Sequence, residues 1–170
     1  MKAEDIKTAI DAYAVAKYDD GHRSHLGASL IGHECSRYLW YVFRWVHHKQ
    51  HSGRLYRLFQ RGHLEEKRFQ EYLTGIGLTV TSGDQLRVSA CDGHFGGSLD
   101  GIVTLPDGTR MLVEYKTKGT GSGFADLTKK GIKLANPQHY AQMCIYGAFH
   151  DLTHALYMCV NKNDDDIYIE

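Results

Sequence analysis

At 170 residues, the chain is long enough for one domain with a sizeable apolar core. Lysine and arginine together number 20, and aspartate and glutamate also number 20, so no overall basic field marks a nucleic-acid binder. Any such role would depend on local basic clusters. The sequence has no apolar run of membrane-spanning length and no signal-peptide stretch, which favours a cytoplasmic protein without membrane contacts.

The cysteines offer no recognisable metal or redox motif. Cys35, Cys91, Cys144 and Cys159 are far apart, and no two of them form a C-x-x-C pair. We therefore expect most of them to be buried free thiols in a reducing compartment, because a zinc ribbon needs closely spaced pairs.

Two helices are predicted in the N-terminal part. Residues 3–17 have apolar side chains at helical spacing. Ser29 is a suitable cap for a second helix that would continue through Trp45, with a core face made by Leu39, Val42 and Val46. This helix also carries Arg37 among aromatic residues, a combination that suits either a core helix or contacts with nucleic-acid phosphates and bases. The histidines of residues 47–51 indicate a solvated loop rather than a metal cluster.

A long helix over residues 54–74 contains an unusual carboxylate. Its inward face is predicted to consist of Leu55, Leu58, Phe59, Gly62, Phe69 and Leu73, and Glu66 lies within that stripe. A carboxylate among core positions is costly unless it is paired. A metal ion or a catalytic lysine would supply a partner, and so would a core arginine or a backbone group. Gly62 would let the helix approach a strand closely, and Gly75 would cap its end.

Strands are predicted at 78–81 and 85–90, followed by a hairpin at the centre of the chain. Its strands are residues 99–105 and 110–117, joined by a turn at 106–109. Alternation places Glu114 and Lys116 on one face of the second strand, and the pairing brings Asp100 near them. The ordinary interpretation is a surface ion pair. The alternative is a site for a hard divalent cation such as Mg²⁺, which prefers carboxylate oxygens.

The segment after this hairpin is basic and glycine-rich. Lys118 opens a flexible loop that lacks the G-K-[ST] ending of a P-loop. Lys129 and Lys130 lie on the short helix predicted over residues 124–133, and they form either a phosphate-contacting patch or a solvated face.

A final helix and two strands complete an α/β order. Asn136 and Pro137 are favourable residues for the start of a helix that runs to about residue 149. Its apolar face is predicted to contain Ala141, Cys144, Ile145 and Ala148. Gln142 and Tyr146 would lie at the edge of that face, either as a polar flank or as a pair directed at the site. Residues 153–160 predict a buried strand, and residues 167–169 an edge strand.

Together these segments resemble the PD-(D/E)XK nuclease superfamily, in its RecB-like and phage exonuclease branch. The resemblance spans about residues 26–170, and its motifs are G-H-L-E-E with Glu66, G-G-S-L-D-G with Asp100, V-E-Y-K-T with Glu114 and Lys116, and Q-M-C-I-Y with Gln142 and Tyr146. It implies a single domain with a central mixed β-sheet flanked by α-helices. A helical part at 1–53 would precede a nuclease core at 54–170.

The resemblance also implies the chemistry of the site. Asp100, Glu114 and the carbonyl of Tyr115 would bind Mg²⁺ or Mn²⁺, with Glu66 completing the shell or holding a metal-bound water. Lys116 would orient or activate the water that hydrolyses a phosphodiester, and Gln142 and Tyr146 would position Lys116 or the DNA backbone. His63 is an alternative metal ligand. The expected DNA contacts are Ser29, Arg37, Lys118, Lys129 and Lys130.

The implied role is that of a phage-type exonuclease in DNA recombination, replication or degradation, located in the host cytoplasm if phage-encoded. A phage recombination or replication protein would be its partner. A structure-selective endonuclease and a non-catalytic module that binds DNA or a host protein are the alternatives. Some relatives hold an iron–sulfur cluster through one N-terminal and three C-terminal cysteines. Cys35 stands near the first position, but no cysteine triplet follows. Either the cluster is absent or a C-terminal part is missing, and we expect no cluster.

Overall fold

A computed structural model describes residues 2–21, 23–46, 50–83, 86–119 and 122–170, and it has the mixed α/β fold that the sequence predicts. The helices are α1 Ala3–Tyr18, α2 Ser36–Phe43, α3 Gly53–Gly75, α4 Ser122–Ala135 and α5 Pro137–His150, with a 3₁₀ helix at Ala28–Leu30. The strands are β1 Leu26–Gly27, β2 Thr79–Thr81, β3 Arg87–Ala90, β4 Phe95–Ser98, β5 Gly101–Thr104, β6 Arg110–Lys118, β7 Ala155–Asn161 and β8 Ile167–Ile169.

The strands form two sheets. The larger sheet has the order β2-β5-β6-β7-β8, and the smaller one has the order β1-β4-β3. The predicted hairpin is confirmed as the antiparallel pair β5–β6, and β8 is an edge strand as expected. β6 also pairs in parallel with β7, so that Glu114 lies beside Tyr157 and Lys116 lies beside Cys159. The strand that carries the candidate site is therefore the middle strand of the main sheet.

The main sheet separates two apolar clusters. On one face, Leu112 packs with Met143 of α5 and Tyr157 of β7. On the opposite face, Val113 and Tyr115 pack against α3. This alternation along β6 follows the predicted parity, and it places Glu114 and Lys116 on the face that α5 covers.

The close approach of α3 to a neighbour occurs at a different glycine from the predicted one. A Cβ at Gly53 would collide with the backbone of Asp11 in α1, whereas a Cβ at Gly62 would meet open space. The predicted inward face of α3 is also partly wrong, since Leu58 and Phe59 are exposed and Tyr56 is buried. These positions follow from the packing of the first turns of α3 against α1 rather than against the sheet. The helix ends at Gly75, but the left-handed residue is Gly77.

The predicted helix from Ser29 to Trp45 is wrong in extent and in burial. Ser29 belongs to the 3₁₀ helix, and α2 begins only after Cys35, whose sulfur accepts a hydrogen bond from the amide of Tyr38 at 3.4 Å. No residue of α2 is fully buried, and the predicted core residues are half-buried or exposed: Leu39, Val42 and Val46. The helix packs beside the short strand β1, outside both apolar clusters.

The buried face of α5 also differs from the prediction. Its fully buried residues are Gln142, Met143, Tyr146 and Gly147, whereas Cys144 and Ala148 are exposed. The helix turns its polar pair inward because it covers the sheet face on which Glu114 is buried. The cap is as predicted, since the Asn136 side chain accepts a hydrogen bond from the amide of His139 at 3.2 Å.

The cysteines are free, as predicted, but Cys35, Cys91 and Cys144 are exposed and only Cys159 is buried. The expectation of buried thiols is therefore wrong for three of the four. The predicted solvated histidine loop falls partly outside the described residues, at positions 47–49. None of the described helices combines the length and apolar character needed to span a bilayer.

Candidate active site

Asp100 is fixed to the strand that carries the other candidate residues. It stands immediately before β5, and its Oδ2 accepts a 2.8 Å hydrogen bond from the backbone amide of Tyr115 on β6. This bond continues the β5–β6 pairing by one step beyond Gly101 and Val113. Asp100 is therefore held next to Glu114, as the sequence predicts.

Glu114 and Lys116 form an ion pair on the face of β6 that α5 covers. Nζ of Lys116 donates a hydrogen bond to Oε1 of Glu114, and Glu114 is completely buried. The second oxygen, Oε2 of Glu114, is buried and has no hydrogen-bond partner among the described residues. A buried carboxylate oxygen without a partner is energetically costly, so this atom is a candidate ligand for a cation.

The charges of the site are not balanced. Burial, and then the neighbouring Glu114, raises the pKa of Asp100 to about 8, although Asp100 keeps part of its surface open to a cleft. Burial also raises the pKa of Glu114, and Lys116 only partly offsets that effect. Burial alone would lower the pKa of Lys116, but the carboxylates reverse this, and its pKa is raised. One ammonium thus faces several carboxylates, which favours the binding of a further positive charge.

Glu66 lies close enough to this group to act on it. Its charge raises the pKa of both Asp100 and Glu114, and its side chain is about one-third exposed. Its carboxylate stands 3.4 Å from Nδ1 of His63, one turn earlier on α3. His63 thus supplies the partner that the sequence predicts for Glu66. The structure also places Glu66 close enough to act on Asp100 and Glu114.

Gln142 and Tyr146 reach the same site from α5. Both are buried. Burial raises the pKa of Glu114, and it raises the pKa of Tyr146 to about 12, whereas the nearby Gln142 side chain opposes both increases. Oε1 of Gln142 is buried and has no partner among the described atoms. The Tyr146 ring lies against Gly97 of β4, where a Cβ would collide with the tyrosine hydroxyl. The glycine is therefore required for this approach.

A cleft of about 570 Å³ opens between the small sheet, the 3₁₀ helix, α3 and α5. Asp100, Gln142 and Tyr146 line one side of it, and Arg23, His25, His63 and Arg87 supply basic groups. Burial, and then repulsion from Arg23, lowers the pKa of His25. The cleft therefore places two arginines and two histidines beside Asp100, in a protein with no net charge.

The predicted DNA contacts lie in different places. Ser29 lines the cleft, whereas Arg37, Lys118, Lys129 and Lys130 are not among its lining residues. Lys130 is instead paired with Asp126 at 3.0 Å. Sequence reasoning missed Arg23, His25 and Arg87, because the pairing of β1 with β4 and of β4 with β3 brings these distant segments together.

Among the described residues, no group of three or more His, Cys, Asp or Glu side chains could hold a metal ion by itself. The predicted ligands are Asp100, Glu114 and the carbonyl of Tyr115, with Glu66 completing the shell or holding a metal-bound water, and these three carboxylates do not form such a group. Such a set suits Mg²⁺, which is commonly bound through one or two carboxylates and keeps several waters. The free Oε2 of Glu114 fits a hard cation at this point, and so does the raised pKa of Asp100, because a bound cation would offset the burial and the repulsion from Glu114 that raise it.

No protein-family profile matches the sequence, and no curated protein is similar to it. Solved structures do resemble it. An alkaline exonuclease from Laribacter hongkongensis, LHK-Exo, superposes with a TM-score of 0.61 at 19% identity, over 91% of this chain and 80% of that one. The protein SSO0001 superposes with a TM-score of 0.55 at 13% identity, over 96% of this chain and 76% of that one. The chain therefore has the mixed α/β fold of an alkaline exonuclease, which confirms the nuclease fold predicted from the sequence.

Proposed function

We propose that this protein is a metal-dependent deoxyribonuclease that degrades linear DNA from its ends. The observation that carries the proposal is the convergence of Asp100, Glu114 and Lys116 beside a basic cleft, in a fold that an alkaline exonuclease shares. An ordinary surface ion pair does not account for this arrangement, because Glu114 is fully buried.

In this proposal, Asp100, Glu114 and the Tyr115 carbonyl hold Mg²⁺ or Mn²⁺, and Glu66 completes the set or holds a bound water. The ion would polarise the phosphate and the water when bound. Lys116 orients the attacking water and stabilises negative charge on the phosphate as the new P–O bond forms and the bond to the leaving sugar oxygen breaks.

Gln142 and Tyr146 act on the position of the reacting groups. Gln142 lies beside Glu114, and Tyr146 lies between Gln142 and Gly97. They would hold the Lys116–Glu114 pair or the DNA backbone in place. Ser29, Arg23 and Arg87 line the cleft and are the nearest candidates for phosphate contacts. Arg37, Lys118, Lys129 and Lys130 stay candidates for a longer DNA path.

The wider biological role rests on the sequence resemblance. We propose a phage-type function in DNA recombination, replication or degradation, in the cytoplasm of the host. A recombination or replication protein of the same phage would be the partner.

Incubation of the purified protein with linear and with covalently closed circular DNA tests the proposal. Mg²⁺, Mn²⁺ and EDTA would be compared, with Asp100→Ala and Lys116→Ala as site variants. Asp107→Ala and Lys7→Ala serve as matched controls, because they remove the same charges from exposed positions. We expect metal-dependent loss of linear DNA that only the site variants abolish.

Other outcomes separate the alternatives. Cleavage of closed circles would identify an endonuclease at the same site. Retained DNA binding without cleavage in any metal would contradict the enzyme and leave a binding module.

A further inference from the structure

The charges of this chain are unevenly distributed. Residues 35–64 contain six lysines and arginines and no aspartate or glutamate. The remainder of the chain therefore has 14 of the 20 basic residues and all 20 acidic ones. A protein with zero formal net charge thus carries one purely basic segment in its sequence. In the fold, Arg57 pairs with Asp11 and Arg61 with Glu65, so the attraction for polyanions comes from the rest of the segment, which includes Arg44.

This segment also presents an aromatic surface, which consists of Trp40, Tyr41, Arg44 and Trp45. The exposed fractions are 55% for Trp40, 40% for Tyr41 and 41% for Trp45. The ring centroids of Trp40 and Tyr41 are 5.4 Å apart, and the Arg44 guanidinium lies 5.9 Å from the Trp40 ring. Large exposed rings beside an arginine are the side chains on which unpaired bases stack.

The aromatic surface adjoins the cleft of the candidate active site. His94 stacks with Trp45 at a centroid distance of 5.9 Å and lies 5.5 Å from the ring of Phe43. The two chain neighbours of His94, Gly93 and Phe95, both line the cleft. A strand bound on the aromatic surface can therefore continue directly into the cleft.

A second pair of an arginine and an aromatic ring lies on α3, but the charge of its arginine is neutralised by carboxylates. Arg68 lies 5.8 Å from the ring of Tyr72, but it is also paired with Glu65 at 3.0 Å and with Asp165 at 2.7 Å. Within the described chain, Arg44 has no carboxylate at ion-pair distance. Arg44 thus keeps its charge available for a phosphate, whereas that of Arg68 is neutralised.

We propose that the aromatic surface binds the unpaired bases of single-stranded DNA and guides the strand into the cleft. The bases would stack on Trp40 and Trp45, and Arg44 would contact the backbone. Duplex DNA would bind more weakly here, since its bases already stack on each other. The inference rests on the proposed nuclease function only for the destination of the strand, and binding can be measured without catalysis.

The chain contains two tryptophans, and both belong to the aromatic surface. Intrinsic tryptophan fluorescence therefore reports on this surface alone. In EDTA, titration of the full chain with oligothymidylate should quench the emission, and a duplex of the same length should quench it less. In an anisotropy assay with labelled oligothymidylate, Trp40→Ala and Arg44→Ala should each weaken binding roughly five- to hundred-fold. Tyr72→Ala, an exposed aromatic on α3, is the control and should bind like the wild type.

The outcomes distinguish this inference from the proposed function. Quenching in a protein that cleaves no DNA would support the surface and contradict the nuclease. DNA cleavage combined with unchanged binding by Trp40→Ala would contradict the surface and leave the nuclease. Equal affinity for single strands and duplexes would overturn it as well. So would a dimer that Trp40→Ala dissociates without any effect on oligonucleotide binding, because a second copy would then be the occupant.

Discussion

The ammonium of Lys116 donates a hydrogen bond to Glu114, two residues earlier on β6, and this glutamate has no exposed surface. The two side chains share a face because strand residues alternate. The charge of Glu114 is thus balanced from within its own strand. The pair nevertheless lies close to the carboxyl groups of Asp100 and Glu66, and the single ammonium of Lys116 cannot balance all three carboxylates.

Replacement of Lys116 by methionine should destabilise the protein, because it removes the ammonium that balances the charge of Glu114. In EDTA at pH 9, we expect the free energy of unfolding to fall by about 3–5 kcal/mol, because a buried charge loses its partner. The loss should be smaller at pH 5, because burial raises the pKa of Glu114 and a lower pH favours its uncharged form. Urea denaturation at both pH values measures the effect. Lys129→Met should change stability little, and an equal loss at both pH values for Lys116→Met would contradict the account.

Asp100→Asn should change the pH dependence of stability. The pKa of Asp100 rises from 3.8 to about 8 on folding, so the folded protein binds this proton more tightly than the unfolded chain. Its contribution to stability is complete below about pH 4 and is lost as the pH rises towards 8. In EDTA, the variant should therefore lose less stability than the wild type over this range.

Asp107→Asn is the control for that comparison. The Thr109 amide lowers the pKa of Asp107, so its contribution is present above the unfolded pKa and is lost as the pH falls. The Asp107 variant should therefore keep the alkaline loss of the wild type. Parallel curves for Asp100→Asn and the wild type would show that Asp100 does not cause the dependence.

His139 should govern part of the acid sensitivity. Burial, and then the charges of Lys116 and Lys118, lowers its pKa to about 3. Its Nδ1 lies 3.0 Å from the Tyr157 hydroxyl. The neutral ring stabilises the fold above pH 6.5, and this contribution is lost as the pH falls towards 3. His139→Gln should unfold with a shallower pH dependence between 6.5 and 4, measured by thermal denaturation at each pH. An unchanged slope would assign the sensitivity to other groups.

Gly97→Ala should damage the site without removing any functional group. Its Cβ would collide with the Tyr146 hydroxyl and lie 3.1 Å from Cβ of Ala28. We expect a loss of about 1–3 kcal/mol of stability and a lower rate of DNA cleavage, because Tyr146 must move. Gly62→Ala in α3 meets open space and should stabilise the protein by up to about 1 kcal/mol. A fully active Gly97→Ala variant would mean that the position of Tyr146 is unimportant.

The sequence predicts those parts of the fold that depend on neighbouring residues. The parity of Glu114 and Lys116 follows from strand geometry, and the start of α5 follows from the capping chemistry of Asn136. The prediction for the buried face of α5 is wrong because it follows the helix's small apolar residues. The interior beneath the helix contains the carboxylate of Glu114, and Gln142 packs there instead. Which residues of α5 are buried depends on the sheet face that the helix covers, and the sequence of the helix alone does not predict that face.

The cleft could not be predicted for a similar reason. Arg23 and Arg87 stand more than sixty residues apart, and they line one cleft only because β1 pairs with β4 and β4 with β3. β1 has two residues, too few for a recognisable alternation of apolar and polar side chains. Lys129 and Lys130 of α4 form a basic cluster because they are adjacent in the chain, but neither of them lines the cleft.

The two strands that pair with β6, β5 and β7, differ in their sequence separation from it. The β5–β6 hairpin closes through a short turn, whereas β7 reaches β6 only after α4 and α5 have crossed over. Local contacts form with little loss of chain entropy, and distant ones come later. Asp100 and Glu114 would therefore meet early in folding, while water still surrounds both carboxylates. Their repulsion arises only when α5 and β7 cover them, so removal of one charge should slow unfolding more than it accelerates folding.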